Sequence, residues 1–172
     1  AFVSTSMTVT SSVVPLAGPE LVVEAVATAA RAAGAWRGAG LGVRRALLKG
    51  WNATLRGKQE ALAQLLATEI GKPMLDAREE VSRALAHIDA TRRAVLEEWV
   101  GTAVRVRQQP VGCVGLVTPW NNPIAIPAAK IAAALTCGNT VVWKPSPHAP
   151  RAAEWLMRSL LEANLPAGVV NL

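Results

Sequence analysis

The apolar residues of this chain keep one period up to about Val100 and another beyond Gly101. From about Glu20 they recur at helical spacing. AVATAARAAGAW (25–36) is rich in Ala, the strongest helix former. Leu47, Leu48, Trp51 and Leu55 share one helical face, and Leu62, Leu65, Leu66 and Ile70 share the next. Gly71-Lys72-Pro73 reads as a helix stop. A long helix is expected from about Met74 to Trp99, with Val81, Leu85, Ile88, Val95 and Trp99 as its apolar positions. Beyond Gly101 the period is that of strands. VRVRQQP (104–110) alternates Val with Arg and predicts an exposed strand. VGCVGLV (111–117) is a continuous apolar run, the pattern of a strand buried on both faces. A helix over about Ile124–Leu135 follows, then a buried strand TVVWK (140–144). An amphipathic helix over 151–164 leads into a third strand in GVVNL (168–172). A helical half followed by strand, helix, strand, helix, strand specifies an α/β fold with the first part of a doubly wound parallel sheet.

At 172 residues the chain is long enough for one domain with a substantial core. Its net charge of +6 comes from 18 basic and 12 acidic residues, scattered singly or in pairs. That is the pattern of solvated helix faces. A nucleic-acid surface would concentrate the bases in a stripe, so no nucleic-acid partner is expected. Two cysteines, Cys113 and Cys137, sit inside apolar runs without CxxC or Cys/His spacing, which suggests neither a disulfide framework nor a metal site. Pro, Lys and Arg interrupt every apolar run before it could span a bilayer. The N-terminal stretch begins at Ala and lacks the basic region of a signal peptide, so a cytoplasmic location is expected and the chain reads as cut from something longer.

Ligands of doubly wound sheets sit beyond the carboxyl ends of the strands. Two polar segments fall there: TPWNNP (118–123) and KPSPH (144–148), separated by one helix. Other segments only imitate sites. GAGLG (38–42) misses the dinucleotide spacing, has Val43 in place of a glycine and follows no strand; it reads as a helix link. IGKP (70–73) has Leu66 where a phosphate loop needs Gly and Pro73 where it needs Ser or Thr; it reads as a helix end. Neither cysteine has a cation or base near it in sequence, so both are expected to be small buried hydrophobes. His87 and His148 have no partner in a recognisable triad and read as surface residues.

The segment from Cys113 to Pro150 resembles the cofactor-binding core of the aldehyde dehydrogenase superfamily, in which PWNxP is followed by Lys, an Ala/Leu-rich helix, Gly-Asn, an apolar strand and Lys-Pro-Ser. ARAAGAWRGAGLGVRRALL, TEIGKP (68–73) and LPAGVVNL (165–172) resemble further elements, so the similarity runs from about residue 10 to the end. The resemblance implies an incomplete NAD(P)-binding domain over 1–172 with a Rossmann-like sheet. It also implies that residues about 104–110 form part of a bridging strand used in oligomerisation, in an enzyme that is a homo-dimer or tetramer. The implied chemistry is oxidation of an aldehyde to an acid. A Cys thiolate forms a thiohemiacetal, hydride passes to NAD or NADP, and water releases the acid from a thioester.

By the same resemblance Asn121 is the side-chain amide that stabilises the oxyanion, and Lys130 packs behind it. Val117, Thr118, Pro119 and Trp120 line the cofactor's course, and Lys144, with Ser146 and Pro147 beyond it, faces the adenosine ribose. Two departures stand out. Pro147 occupies a position where NAD-preferring members often carry Glu, which implies tolerance of or preference for NADP. Asn122 stands where an aromatic is common, which implies a wider or more polar substrate tunnel. The second Gly-rich cofactor turn, the base motif and the nucleophile motif of the family are not in these residues. The chain alone is therefore expected to be inactive, with an exposed strand edge near 104–110 that favours aggregation. The rival reading is a short, non-catalytic paralogue serving as a binding or assembly module.

Overall fold

A computed structural model describes residues 17–94, 97–100 and 104–172. The N-terminal stretch read above for a leader, and Val95, lie outside the described residues. Four helices come first: α1 (Pro19–Gly38), α2 (Gly40–Gly57), α3 (Gln59–Ile70) and α4 (Met74–Arg92). The GAGLG segment contains the junction of α1 and α2, where Ala39 alone links the helices and the remaining residues belong to their ends. Gly71 ends α3 in the left-handed region at φ 69°, a conformation that glycine adopts without the strain of a Cβ.

Helix α4 stops at Arg92, short of the expected Trp99. Residues Glu97–Val100 instead form strand β1, which pairs antiparallel with β2 (Val104–Arg107) in a register that sets Glu97 opposite Arg107. Pairing with a partner strand overrides the local helical spacing, an effect that one segment's own pattern cannot reveal. On β2, Val104 and Val106 are exposed, as the alternation predicts.

The second sheet is parallel, ordered β3 (Cys113–Val117), β4 (Thr140–Lys144), β5 (Val170–Asn171). Helix α5 (Ala125–Thr136) connects β3 to β4, and α6 (Pro150–Glu162) connects β4 to β5. Central β4 is buried on both faces through most of its length. Thr140 donates its hydroxyl to the Ala29 carbonyl of α1 at 3.0 Å on one face, while Val141 and Trp143 enter the main core on the other. Strand β3 departs from expectation. It is the edge of this sheet, and only Val114 and Leu116 pack toward the core. Cys113, Gly115 and Val117 stay exposed on the other face, so Cys113 is not a buried hydrophobe; Cys137 is half-buried.

The core joins the helical half to the sheet half. Leu48, Trp51 and Leu55 of α2 and Leu62 and Leu66 of α3 share one cluster with Ile131 and Leu135 of α5 and Leu156 and Leu160 of α6. Each such side chain contributes about 1.5–3 kcal/mol on burial. Two polar side chains of α2 are matched inside: the Trp51 indole donates to the Ser159 hydroxyl at 2.7 Å, and the Asn52 amide to the Leu85 carbonyl at 2.7 Å. Buried Arg44 donates to the Thr136 carbonyl at the end of α5 and to the Arg37 carbonyl at the end of α1, both at 3.0 Å. Helix C-termini present such unpaired carbonyls, and a cation suits their negative dipole ends. Burial lowers the Arg44 pKa, partly offset by the charge of Cys137. Among the described residues no helix is long and apolar enough to cross a membrane.

Candidate functional site

Strands β3 and β4 lie side by side with Val117 paired to Lys144, so the segments that leave their carboxyl ends start as neighbours. The Thr118 N–H donates to the Lys144 carbonyl at 3.3 Å, extending the ladder by one residue. The Thr118 side chain is buried and accepts the Trp143 indole N–H at 2.9 Å. This fixes the base of the TPWNNP loop to the central strand. Above it, Val117 is 75% exposed and Trp120 51% exposed, an apolar surface beside the exposed Lys144. Pro119 is exposed as well.

Asn121 is exposed, and among the described residues its side-chain amide makes no hydrogen bond. Its backbone, in contrast, is held firmly. The Lys72 ammonium, at the end of the TEIGKP element, donates to the Asn121 carbonyl at 2.7 Å and to the Asn122 side-chain oxygen at 3.1 Å, and forms an ion pair with Glu80. Arg83 reaches the same Asn122 oxygen at 3.3 Å. Glu80 is fully buried on α4, and its other oxygen accepts the Ile124 and Ala125 N–H groups at 2.8 and 3.1 Å. Those are orphan donors at the start of α5, which carries no capping side chain of its own.

The second loop is built alike. Ser146 is buried, and its hydroxyl accepts the His148 N–H at 3.2 Å, closing a tight turn in which Pro147 and His148 stay exposed. Glu69, also from the TEIGKP element, accepts the Arg151 and Ala152 N–H groups at 2.6 and 2.9 Å and so caps α6. Both helix N-termini at this edge are therefore filled by the protein's own carboxylates. In related architectures such ends bind phosphate; here an anion would find its positive partner in Lys144.

Of the residues singled out in the sequence, the structure gathers Val117, Thr118, Pro119, Trp120 and Asn121 on one loop, with Lys144, Ser146 and Pro147 on the neighbouring one. Lys130 is exposed on α5, and among the described residues it forms no hydrogen bond or ion pair. The ammonium that does hold the Asn121 loop is Lys72, which the sequence marks as part of a helix end and of the TEIGKP element without assigning it a contact. Glu80 was also missed. It carries a legible signal: it lies on the buried stripe of α4 formed by Ala77, Val81, Ala84, Leu85 and Ile88, where a carboxylate demands a partner. His87 and His148 are on the surface, as expected. Cys113 begins β3, at the end away from Asn121, and Cys137 ends α5. A cleft of about 610 Å³ opens at that far end, between Arg37, Arg44, Arg107 and Gln109.

The parallel sheet thus brings a clamped Asn loop and an exposed lysine together at adjacent strand ends, the place where doubly wound sheets take their ligands. The chain belongs to the aldehyde dehydrogenase family, whose model matches residues 4–172. It is 40% identical over 159 residues to N-succinylglutamate 5-semialdehyde dehydrogenase from Burkholderia mallei, covering 88% of this chain and 32% of that protein. It is 38% identical to α-ketoglutarate semialdehyde dehydrogenase from Haloferax volcanii over 86% of this chain and 32% of that one. The chain thus spans about a third of the length of these curated relatives. Among solved structures, glyceraldehyde-3-phosphate dehydrogenase from Methanocaldococcus jannaschii complexed with NADP superposes with a TM-score of 0.85 at 32% identity, over 92% of this chain and 37% of that one. A mutant aldehyde dehydrogenase from Pseudomonas syringae complexed with NAD+ and octanal gives 0.81 at 33% identity, over 88% and 32%.

Proposed function

We propose that this chain is the part of an NAD(P)-dependent aldehyde dehydrogenase that holds the adenosine side of the cofactor and supplies the amide donor for the reacting oxygen. The observation that carries this reading is the contrast at Asn121: a backbone clamped by Lys72, and a side-chain amide left exposed and without a partner among the described residues. A donor fixed in place before charge develops stabilises an oxyanion without reorganising. The prolines on either side of the Asn pair, at 119 and 123, stiffen the same loop.

The surface fits the cofactor. Val117 and Trp120 offer exposed apolar area to a flat ring system, and the exposed Lys144, which has no partner among the described residues, stands next to it for ribose hydroxyls or a phosphate. Thr118 and Pro119 set the course of the loop past it. When bound, the nicotinamide accepts a hydride. Pro147 presents no carboxylate beside Lys144, and the buried Ser146 hydroxyl is engaged within its own turn, so nothing there repels a ribose phosphate. We therefore assign tolerance of NADP. The kcat/KM ratio for the two cofactors tests that point, and a strong NAD preference would overturn it.

Neither Cys113 nor Cys137 lies on the Asn121 loop, so the nucleophile comes from elsewhere in the full-length enzyme and the 172-residue chain alone does not oxidise aldehydes. Lys130 keeps its assignment as support for Asn121 only if its side chain turns back along α5 in the full-length enzyme. The β1–β2 ribbon, with Val104 and Val106 exposed, is the part we assign to bridging between subunits of a cytoplasmic dimer or tetramer. The decisive experiment is Asn121→Ala in the full-length enzyme. A fall in kcat of about 10²–10³ with unchanged thermal stability is expected. Retention of the rate would overturn the reading.

A further inference from the structure

The ion pair that clamps the Asn121 loop does more than stabilise the fold. We infer that Lys72 and Glu80 are positioning residues for the reaction, acting through Asn121. The inference rests on the oxyanion role proposed above.

Each acceptor and donor of the pair is committed. An ammonium has three N–H donors, and Lys72 directs them to the Glu80 carboxylate, the Asn121 carbonyl and the Asn122 side-chain oxygen. Glu80 divides its oxygens. One takes Lys72, and the other takes the N–H groups of Ile124 and Ala125 that open α5. The Asn-Asn loop is thereby tied on its upstream side through the Asn121 carbonyl and on its downstream side through the first turn of α5. Both ties meet at one carboxylate on α4. That carboxylate is fully buried and the Lys72 side chain is only 14% exposed, so loss of the ammonium would strand a buried charge. Rotation of the peptide after Asn121 would break the bond from Lys72 to its carbonyl. The same rotation would redirect the whole Asn121 residue, so the Lys72 contact limits where the amide can point. Asn122, whose side-chain oxygen is held by both Lys72 and Arg83, is the third anchor of this clamp. This is a different employment from shaping a substrate tunnel.

A misplacement of a reacting group by about 1 Å can cost on the order of 10² in rate. In the full-length enzyme that contains this chain, Lys72→Met is therefore expected to lower kcat about 10- to 100-fold while leaving KM for the cofactor nearly unchanged, because Lys144 and Trp120 are untouched. Lys72→Met alone leaves a buried carboxylate unpaired and can fail to fold. Lys72→Met combined with Glu80→Gln removes both charges and keeps an oxygen for Ile124 and Ala125, so this pair of changes reads the clamp in a folded protein. Lys72→Arg should recover part of the rate. The discriminating arm repeats the double substitution in an Asn121→Ala background. If the clamp works through Asn121, it costs little or nothing further there. Equal losses in kcat with and without Asn121 would overturn the inference and leave the pair a purely structural role, as would an unchanged kcat in the folded double variant. Failure of the oxyanion reading is seen separately, as an Asn121→Ala enzyme that keeps its rate.

Discussion

Glu69, in the last turn of α3, accepts the backbone N–H groups of Arg151 and Ala152 at 2.6 and 2.9 Å, across 82 and 83 residues of chain. Helix α6 starts at Pro150 after Ala149, which has no side chain able to cap it. The carboxylate therefore supplies from a distance what a Ser or Asp would supply locally. It also anchors the far end of the loop that begins at Lys144. Glu69→Ala should lower stability by about 1–2 kcal/mol. Glu69→Gln, which keeps an acceptor but loses the charge near the helix end, should lie between that variant and the parent. Urea midpoints give the order; equal midpoints for all three proteins would refute it.

The buried bond between Trp143 and Thr118 makes a second prediction by its asymmetry. Thr118→Val leaves the indole N–H buried and unpaired, at a cost of about 1–3 kcal/mol. Trp143→Phe loses the indole and strands the hydroxyl. With both changes made, neither polar group remains to be unsatisfied, so the double variant should be more stable than the sum of the single losses allows. A double-mutant cycle by chemical denaturation measures the coupling. Additive losses would mean that the bond does not form in solution.

How far these relationships were legible in sequence depends on whether their cause was local. Helix faces such as Leu47, Leu48, Trp51 and Leu55 follow from spacing alone, and all four are buried. The strand TVVWK holds its expected limits because its apolar run is bounded by Gly138-Asn139 on one side and Pro145 on the other. The two polar loops were placed correctly because topology fixes strand ends. Trp99 was misassigned because its strand exists by pairing with residues 104–107, and no window of one segment contains that information. Cys113 was misassigned because a continuous apolar run says only that a strand can be covered on both faces, whereas β3 lies at the sheet edge with one face open. The clamp of Lys72 and Glu80 joins residues 72, 80, 121 and 124, and only the charge on the apolar stripe of α4 hinted at it.

That open face predicts a difference between the two thiols of the chain. Cys113 is exposed and Cys137 half-buried. Under native conditions a thiol reagent should consume one equivalent rapidly and the second slowly, since partial burial limits access to the second thiol. Cys113→Ser should abolish the fast phase alone. Two equally slow phases would show that the outer face of β3 is covered.

Acid should reveal the surface tie between α3 and α4. Arg78 donates to both oxygens of Glu60 at 2.6 and 3.0 Å, and these bonds hold the Glu60 carboxyl below its ordinary range. A carboxylate with a depressed folded pKa adds stability that is complete above the unfolded value and is lost as pH falls through the folded one. The pair is exposed, so the contribution is small and screened by salt. Glu60→Gln should therefore unfold at slightly lower urea than the parent at neutral pH. The gap should close as pH falls below the ordinary carboxylate range. A gap that widened in acid would reverse the assignment.

Glycines at two sites predict opposite signs for the same substitution. Gly168, just before β5, has φ 79°, and a Cβ there would lie 3.1 Å from the Thr28 methyl, 3.2 Å from the Ala32 Cβ and 3.2 Å from the Thr28 carbonyl oxygen. Helix α1 thus packs directly on the turn that feeds the third strand. Gly168→Ala combines left-handed strain with a contact to backbone that cannot move aside, and should cost about 1–3 kcal/mol. Gly34 lies inside α1 on its exposed side, with nothing within 4 Å of the added Cβ. There the same change supplies helix propensity without a clash and should stabilise by up to about 1 kcal/mol. Urea unfolding of the two variants separates packing from propensity on a single helix. If Gly168→Ala were neutral while Gly34→Ala stabilised, α1 would not sit on the sheet in solution, and the cover it gives to Thr140 would be lost with it.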